Sequence, residues 1–207
     1  MTSFRFTGGA LAALLIAAAL SGCAGQNEAG EAAAPPPTLD GAGTPGCAVA
    51  RPTPSPIETA GSTMWPTSVT LDDALTRISQ AGEGRFGKQF AGVEVVPEKG
   101  YGIVYRVPSA EFDEFVTQQA GTECIYLRDA AYDQATLQAL ASRVMDDRKY
   151  WEKQGITINT TGTTHDGSGI TIGVLPADLE RARVELPKRY GTQVPITIEP
   201  QEAITTW

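Results

Sequence analysis

The sequence of 207 residues has one histidine, His165, and three cysteines, at positions 23, 47 and 124. A structural zinc site takes about four nitrogen or sulfur ligands, and these scattered residues do not supply them. A phosphate-binding loop needs a lysine and a hydroxyl after its glycines, and the stretch "AGEGRFG" has neither. We therefore expect no metal site of this kind and no cofactor.

A recognisable catalytic arrangement is also lacking. A serine-histidine-aspartate triad needs an imidazole that is oriented by a carboxylate within reach of a nucleophile. His165 lies in "TTHDGSG", where Asp166 and Gly167 are typical of a hairpin turn. Three carboxylates are predicted on the exposed side of a helix: Glu111, Asp113 and Glu114. The sequence predicts no catalytic residues, and the protein is not expected to be an enzyme.

Basic residues are few relative to acidic ones. Sixteen Lys and Arg face 24 Asp and Glu, which gives a formal net charge of −8. A chain of this charge is repelled by nucleic acid and by anionic lipid headgroups. Nucleic acid is therefore not an expected partner.

The amino terminus has the layout of an export signal, with one positive charge at Arg5 and a run of Gly, Ala, Leu and Ile over residues 8–20. This run is shorter than the roughly 20 apolar residues of a membrane-spanning helix. It gives way at once to the polar residues Gln26 and Asn27. A permanent membrane span is therefore not expected here.

The run Leu20-Ser21-Gly22-Cys23 resembles the lipobox of bacterial lipoproteins, in which the cysteine thiol receives a diacylglycerol and the preceding peptide bond is cut. The resemblance implies a signal peptide over residues 1–22 and a lipidated Cys23. The mature protein would be anchored at the outer face of the bacterial cell membrane. The alternative is an ordinary cleaved signal in which the cysteine is incidental.

Residues 23–68 are rich in Pro, Ala and Gly and are predicted to form a disordered tether, with residues 69–207 as one α+β domain. Cys47 in the tether and Cys124 in the domain make an even pair for a disulfide outside the cytoplasm. The pattern equally fits a free, buried Cys124, because Ile125, Tyr126 and Leu127 follow it as in a strand.

The domain is predicted to open with a helix over "TLDDALTRISQAG", capped by Thr70. A strand, turn, strand, helix and strand then occur in order, and the same order recurs later. The first unit covers about residues 86–130 and the second about 154–200, each with a proline near the start of its helix, Pro108 and Pro176. The predicted fold class is α+β, with two similar antiparallel β-β-α-β units.

An amphipathic helix over about residues 133–153 is predicted to join the two units. Asp133 is its expected N-cap. Its apolar positions fall on one stripe: Leu137, Leu140, Ala141, Val144 and Trp151. We expect this stripe to lie against one or both sheets.

The stretches "RFGKQFAGVEVVPEKGYGIVYRV", "CIYLRDAAYDQATLQALASRVMDD" and "GITINTTGTTHDGSGITIGV" resemble the pro-regions of secreted bacterial serine proteases of the α-lytic protease and streptogrisin group. Phe90-Ala91-Gly92 and Arg128 stand where those pro-regions have a "FAG" step and an arginine at a strand end. The resemblance implies a module that binds a serine protease, assists its folding and inhibits it. No protease domain follows in this sequence, so we expect such a role either to be exerted in trans or to be lost altogether.

The carboxyl-terminal piece "EPQEAITTW" contains two apolar candidates for partner contact, Ile204 and Trp207. The resemblance implies that this tail enters a protease cleft, whereas an ordinary frayed terminus would dock on its own domain. A second hypothesis is a structural, solute-binding or cell-wall-binding envelope lipoprotein that contacts wall polymer or another envelope protein. Such a binder should present an aromatic or polar groove on a sheet face.

Overall fold

The computed structural model describes residues 41–52 and 54–203, which belong to the unit Pro36–Trp207. The predicted signal peptide, Cys23, Ile204 and Trp207 lie outside the described residues. Within the described ranges, no helix has the length and apolar character needed to cross a membrane.

The described residues form an α+β fold, as predicted, with three small sheets. The strands are β1 (Ile57–Thr59), β2 (Ser62–Met64), β3 (Phe90–Val96), β4 (Tyr101–Arg106), β5 (Ile125–Asp129), β6 (Ile158–Thr163), β7 (Ile170–Val174) and β8 (Ile196–Pro200). The helices are α1 (Val69–Glu83), α2 (Ala110–Ala120), α3 (Gln134–Asp146), α4 (Arg148–Lys153) and α5 (Leu179–Tyr190).

The predicted repeat is present as two three-stranded sheets, β3-β4-β5 and β6-β7-β8. In each, the first two strands form an antiparallel hairpin, and each first strand has a bulge near its start. The third strand of each unit, however, runs parallel to the second. The prediction of antiparallel pairing was wrong for this strand, because a crossover through α2 or α5 returns the chain in the same direction.

The start of α1 differs from the prediction. Ser68 is its N-cap, and its Oγ accepts a hydrogen bond from the Leu71 amide at 3.4 Å. Thr70 Oγ1 instead donates to Glu123 Oε1 at 2.7 Å. Thr70 was the wrong choice because a distant carboxylate, which local sequence does not reveal, binds its hydroxyl.

The linking segment consists of two helices, α3 and α4, that meet at Asp147. Asp133 caps α3 as predicted, accepting from the Thr136 amide at 2.8 Å. Most of the predicted apolar stripe is buried: Leu137, Ala141, Val144 and Trp151. This stripe packs in the core of the second sheet, together with residues of β6, β7 and α5.

The two three-stranded sheets each have their own hydrophobic core. The first lies between β3-β4-β5 and helices α1 and α2, and its fully buried members include Ile78, Val104 and Phe112. The second lies between β6-β7-β8 and helices α3 and α5, with Ile172 and Leu186 at its centre. Each sheet is therefore packed by helices on one face.

The prediction of a disordered tether over residues 23–68 was wrong for part of this range. Residues 41–52 are bound to the first sheet. We call these residues the strap. The Gly41 amide donates to Leu127 O at 2.7 Å and the Thr44 amide to Ile125 O at 2.9 Å, so the strap pairs antiparallel with β5. An edge strand has unpaired backbone groups, and the strap satisfies those of β5.

Side-chain contacts and a disulfide hold the strap in place. Cys47 and Cys124 are bonded, with an S–S distance of 2.11 Å. Arg51 Nη1 donates to Glu123 Oε2 at 2.7 Å, and Thr44 Oγ1 donates to Glu123 O at 2.8 Å. The buried Glu123 therefore binds both the strap and α1.

A buried ion cluster ties together three elements of the first unit. Arg106, at the end of β4, is fully buried, and its Nε donates to Asp113 Oδ1 of α2 at 2.6 Å. Its Nη1 donates to Asp129 Oδ1 at the end of β5. Asp113 was predicted to face solvent but is 6% exposed, because its carboxylate neutralises this buried guanidinium. The corresponding strand ends of the second unit pair Val174 with Pro200.

Replacing Asp113 with Asn should lower the free energy of unfolding by about 3–5 kcal/mol, because it leaves a buried charge without one partner. Urea denaturation measures the change. The control is Glu111→Gln in the same helix, whose pair with Arg85 is 68% and 65% exposed and should contribute under about 1 kcal/mol. Equal shifts for the two variants would contradict the assigned role of Asp113.

The double variant Cys47→Ser and Cys124→Ser should be less stable by about 2–4 kcal/mol, because the bond closes a long loop, with a sequence separation of 77. Thermal and urea unfolding should show the same loss of stability for the variant and for the reduced wild type. If neither change affects stability, the disulfide does not hold the strap.

Candidate functional site

The outer face of the first sheet, opposite α1 and α2, is the most distinctive surface. We call it the tyrosine face, formed by Glu94, Tyr101, Ile103, Tyr105, Tyr126 and Arg128. All except the exposed Arg128 are half-buried. None of them belongs to either hydrophobic core, so this is a partly apolar surface that the packing of the helices does not use.

Strand alternation and register place these side chains together. Successive side chains of a strand point to opposite faces, so β4 directs Val104 to the core and Ile103 and Tyr105 outward. Across the sheet, Ile103 pairs with Tyr126. The rings of Tyr101 and Tyr126 meet edge to face, with 5.0 Å between their centroids. The result is a continuous surface across three strands.

At one side of the face, three polar groups converge. Tyr105 Oη donates to Glu94 Oε2 at 2.7 Å, and His165 Nε2 lies 3.6 Å from the same oxygen. The Tyr105 and His165 rings are edge to face at 5.6 Å. Burial, with the hydrogen bond to Glu94 and the charges of Glu94 and Asp166, raises the pKa of Tyr105 to about 12. The phenol therefore stays protonated and serves as the hydrogen-bond donor to Glu94.

His165 belongs to the turn 164–169 between β6 and β7, as predicted, and this turn rests on the first sheet. A Cβ atom at Gly92 would lie only 2.2 Å from His165 O, so the two backbones touch. The Tyr132 amide donates to Gly167 O at 3.1 Å, and Gly167 has a φ of 70°. The turn thus closes one side of the tyrosine face.

Asp166 shapes this turn. Its Oδ1 accepts from the Ser168 amide at 3.0 Å. Partial burial opposes ionisation of the carboxyl, but hydrogen bonds from Ser168 and Thr164 and the adjacent His165 outweigh it and lower the pKa of Asp166. Asp166 therefore has a structural role within the turn.

The chain leaves β8 along the end of the second sheet. The Gln201 amide donates to Val174 O at 2.7 Å, and Asn159 Nδ2 donates to Gln201 O at 2.9 Å. Thr160 Oγ1 donates to the Gln201 carboxamide, which occupies the space above Gly173. The tail is fixed at Gln201, and the predicted contact residues Ile204 and Trp207 lie beyond the described residues.

The residues singled out from the sequence do not converge. Cys47 and Cys124 form the disulfide of the strap, and His165 contacts Glu94, a partner that no local pattern indicated. In the described part of the chain, no group of three or more His, Cys, Asp or Glu side chains is arranged to hold a metal ion. The tyrosine face was missed, although the spacing of Tyr101, Ile103 and Tyr105 is the period-two signal that marks one face of a strand.

No protein-family model matches this chain. No curated protein matches it significantly either.

Replacing Gly92 with Ala should destabilise the protein by about 1–3 kcal/mol, because the added methyl group meets the backbone of His165. Gly162→Ala is the matched control in β6, since a Cβ there has open space around it and should change stability by no more than about 0.5 kcal/mol. Urea denaturation compares the two. A harmless Gly92→Ala change would show that the turn does not rest on the sheet.

Proposed function

We propose that the protein is a lipid-anchored, extracytoplasmic protein-binding module whose contact surface includes the tyrosine face. The observation that carries the proposal is a set of three half-buried tyrosines and Ile103 on a sheet face that neither core uses. Tyrosine is enriched at protein interfaces because its ring combines a large apolar area with a hydrogen-bonding group. Helices α1 and α2 pack on the opposite face of the sheet and keep this surface rigid.

Within this function, we propose an inhibitor or folding assistant of an extracellular serine protease, acting in trans. The tandem β-β-α-β units support the idea, because they are the arrangement that the resemblance to protease pro-regions implies. The tail supports it as well, since Gln201 anchors the chain just before Ile204 and Trp207. An extended segment that starts from a fixed point would lose less entropy on entering a cleft.

The resemblance of the run that ends in Cys23 to a lipobox supports the proposed lipid anchor. A lipidated Cys23 would stand 18 positions before Gly41, where the strap begins. A binding module attached in this way would act on partners at the outer face of the cell membrane.

The same face favours a second candidate, an envelope lipoprotein that binds cell-wall polymer or a solute. Planar aromatic rings at a sheet face present apolar area for a flat ligand, while Glu94 and Arg128 offer an acceptor and donors at its border. A wall binder should present an exposed aromatic or polar groove on a sheet face, and these half-buried rings support that candidate.

In affinity capture, the full chain serves as bait for the secreted and envelope proteins of the source organism and should enrich a serine protease. The activity of that protease should fall as the chain is added. Combining Tyr101→Ala with Tyr126→Ala should weaken inhibition at least about tenfold, because interface tyrosines often dominate binding. Deleting residues 204–207 should weaken inhibition as well.

Tyr150→Ala is the matched control, because this side chain is 41% exposed and lies on α4, away from the tyrosine face. Retention of purified wall polymer without any protease, lost in the same double variant, would support the second candidate instead. If the Tyr101 and Tyr126 changes leave every captured partner bound, the tyrosine face is not the contact surface.

A further inference from the structure

A groove between α4 and α5, on the second unit, has no part in the proposed function. Its wall includes the exposed Tyr150 over the buried Trp151 and Ile156, and its rim carries Arg181 and Lys188, with Glu185 and Arg189 beside them. It holds about 430 Å³, within the usual size range of small-molecule sites.

The two helices concentrate positive charge in an acidic chain. They carry seven basic residues: Arg148, Lys149, Lys153, Arg181, Arg183, Lys188 and Arg189. They carry three acidic residues: Glu152, Glu180 and Glu185. This local charge of +4 stands against −8 for the whole chain. The side chains that line the groove include three basic ones, Arg181, Lys188 and Arg189, and one acidic one, Glu185, and such an excess of positive charge attracts anionic ligands.

The cations of the rim differ in how they are bound. Arg189 donates to both Asp147 oxygens, at 2.8 and 3.1 Å, and Lys188 donates to Glu185 at 2.8 Å. Arg181 Nη1 donates only to the carbonyls of Gln154 and Gly155, at 3.0 and 3.4 Å. Among the described residues, therefore, no carboxylate neutralises the charge of Arg181.

The aromatic side of the groove is held in place. The Arg189 guanidinium lies 4.1 Å from the centroid of the Tyr150 ring. Trp151 Nε1 donates to Tyr190 Oη at 2.7 Å, and Tyr190 Oη donates to Asp147 Oδ2 at 3.0 Å. Asp147 therefore fixes both Arg189 and, through Tyr190, the indole. An apolar or ring-shaped part of a ligand would meet a preformed surface here.

We propose that this groove binds a small organic phosphate ester, with its phosphate at Arg181 and Lys188 and its organic part against the exposed side chain of Tyr150. A phosphate has enough oxygens to accept from Arg181, which no carboxylate of the described residues binds, and from Lys188, whose ammonium group keeps donors beyond the one given to Glu185. One carboxylate is matched by a single guanidinium. The ligand is small because the net charge of −8 repels extended polyanions. This site is independent of the tyrosine face and of any protease partner.

Isothermal titration calorimetry of the full chain tests the proposal, with phenyl phosphate, inorganic phosphate and benzoate as probes. Phenyl phosphate should bind at least about tenfold more tightly than either of the other probes, since only it has both the ring and the phosphate. Arg181→Gln and Lys188→Gln should each weaken phenyl phosphate binding about tenfold, because a charge-assisted hydrogen bond is lost. Thermal melts should show that both variants fold. If one variant does not fold, phenyl phosphate binding by the other variant decides the test.

Arg183→Gln is the matched control, because Arg183 lies on the same helix but pairs with Glu180 at 2.8 Å and does not line the groove. It should leave phenyl phosphate binding unchanged. An equal loss in Arg183→Gln would show diffuse charge attraction and overturn the proposal, as would equal binding of benzoate. Binding to anionic phospholipid vesicles but not to phenyl phosphate would contradict a small-ligand site.

Discussion

The close contact between Gly92 and the backbone of His165 is the constraint on which the arrangement of the two units depends. A hydrogen atom in place of a side chain at this position lets the turn 164–169 lie directly on β3. The contact brings His165 beside Glu94 and Tyr105, which explains why a turn residue of one unit completes a cluster on the other. The rest of the tyrosine face is half-buried, with Arg128 exposed.

The two units share a pattern but are stabilised differently. In the first, Arg106 bridges β4, α2 and β5 through two carboxylates, and the disulfide-linked strap closes the free edge of β5. In the second, the matching strand ends pair Val174 with Pro200, and α3 adds apolar packing. The first unit is thus stabilised at the edge of its sheet by the strap and on one face by helices, and the residues of its outer face belong to neither core. The second unit instead has a cationic groove between its helices.

Features that depend on local sequence were predictable. The repeat followed from alternation and turn residues, and Asp133 was recognised as a cap because a cap acts on the next few residues.

Features that depend on distant partners were not predictable. Asp113 was assigned to solvent because helix periodicity does not show a buried Arg106 on another element. The strap was taken for tether because its composition is that of a linker, while its stability comes from Glu123, β5 and Cys124. For the site, the alternation in β4 marked one face, but neither the register with Tyr126 nor the contact with His165 follows from sequence.

We propose that the tyrosine face is the surface through which this protein recognises its partner. Hydroxyl-radical footprinting of the free chain and of the chain with its captured partner tests the claim directly, because tyrosine side chains react readily when solvent reaches them. Our account predicts that oxidation of Tyr101, Tyr105 and Tyr126 falls in the complex while that of Tyr150 stays the same. Unchanged oxidation of the three tyrosines, with protection confined to other residues, would contradict it.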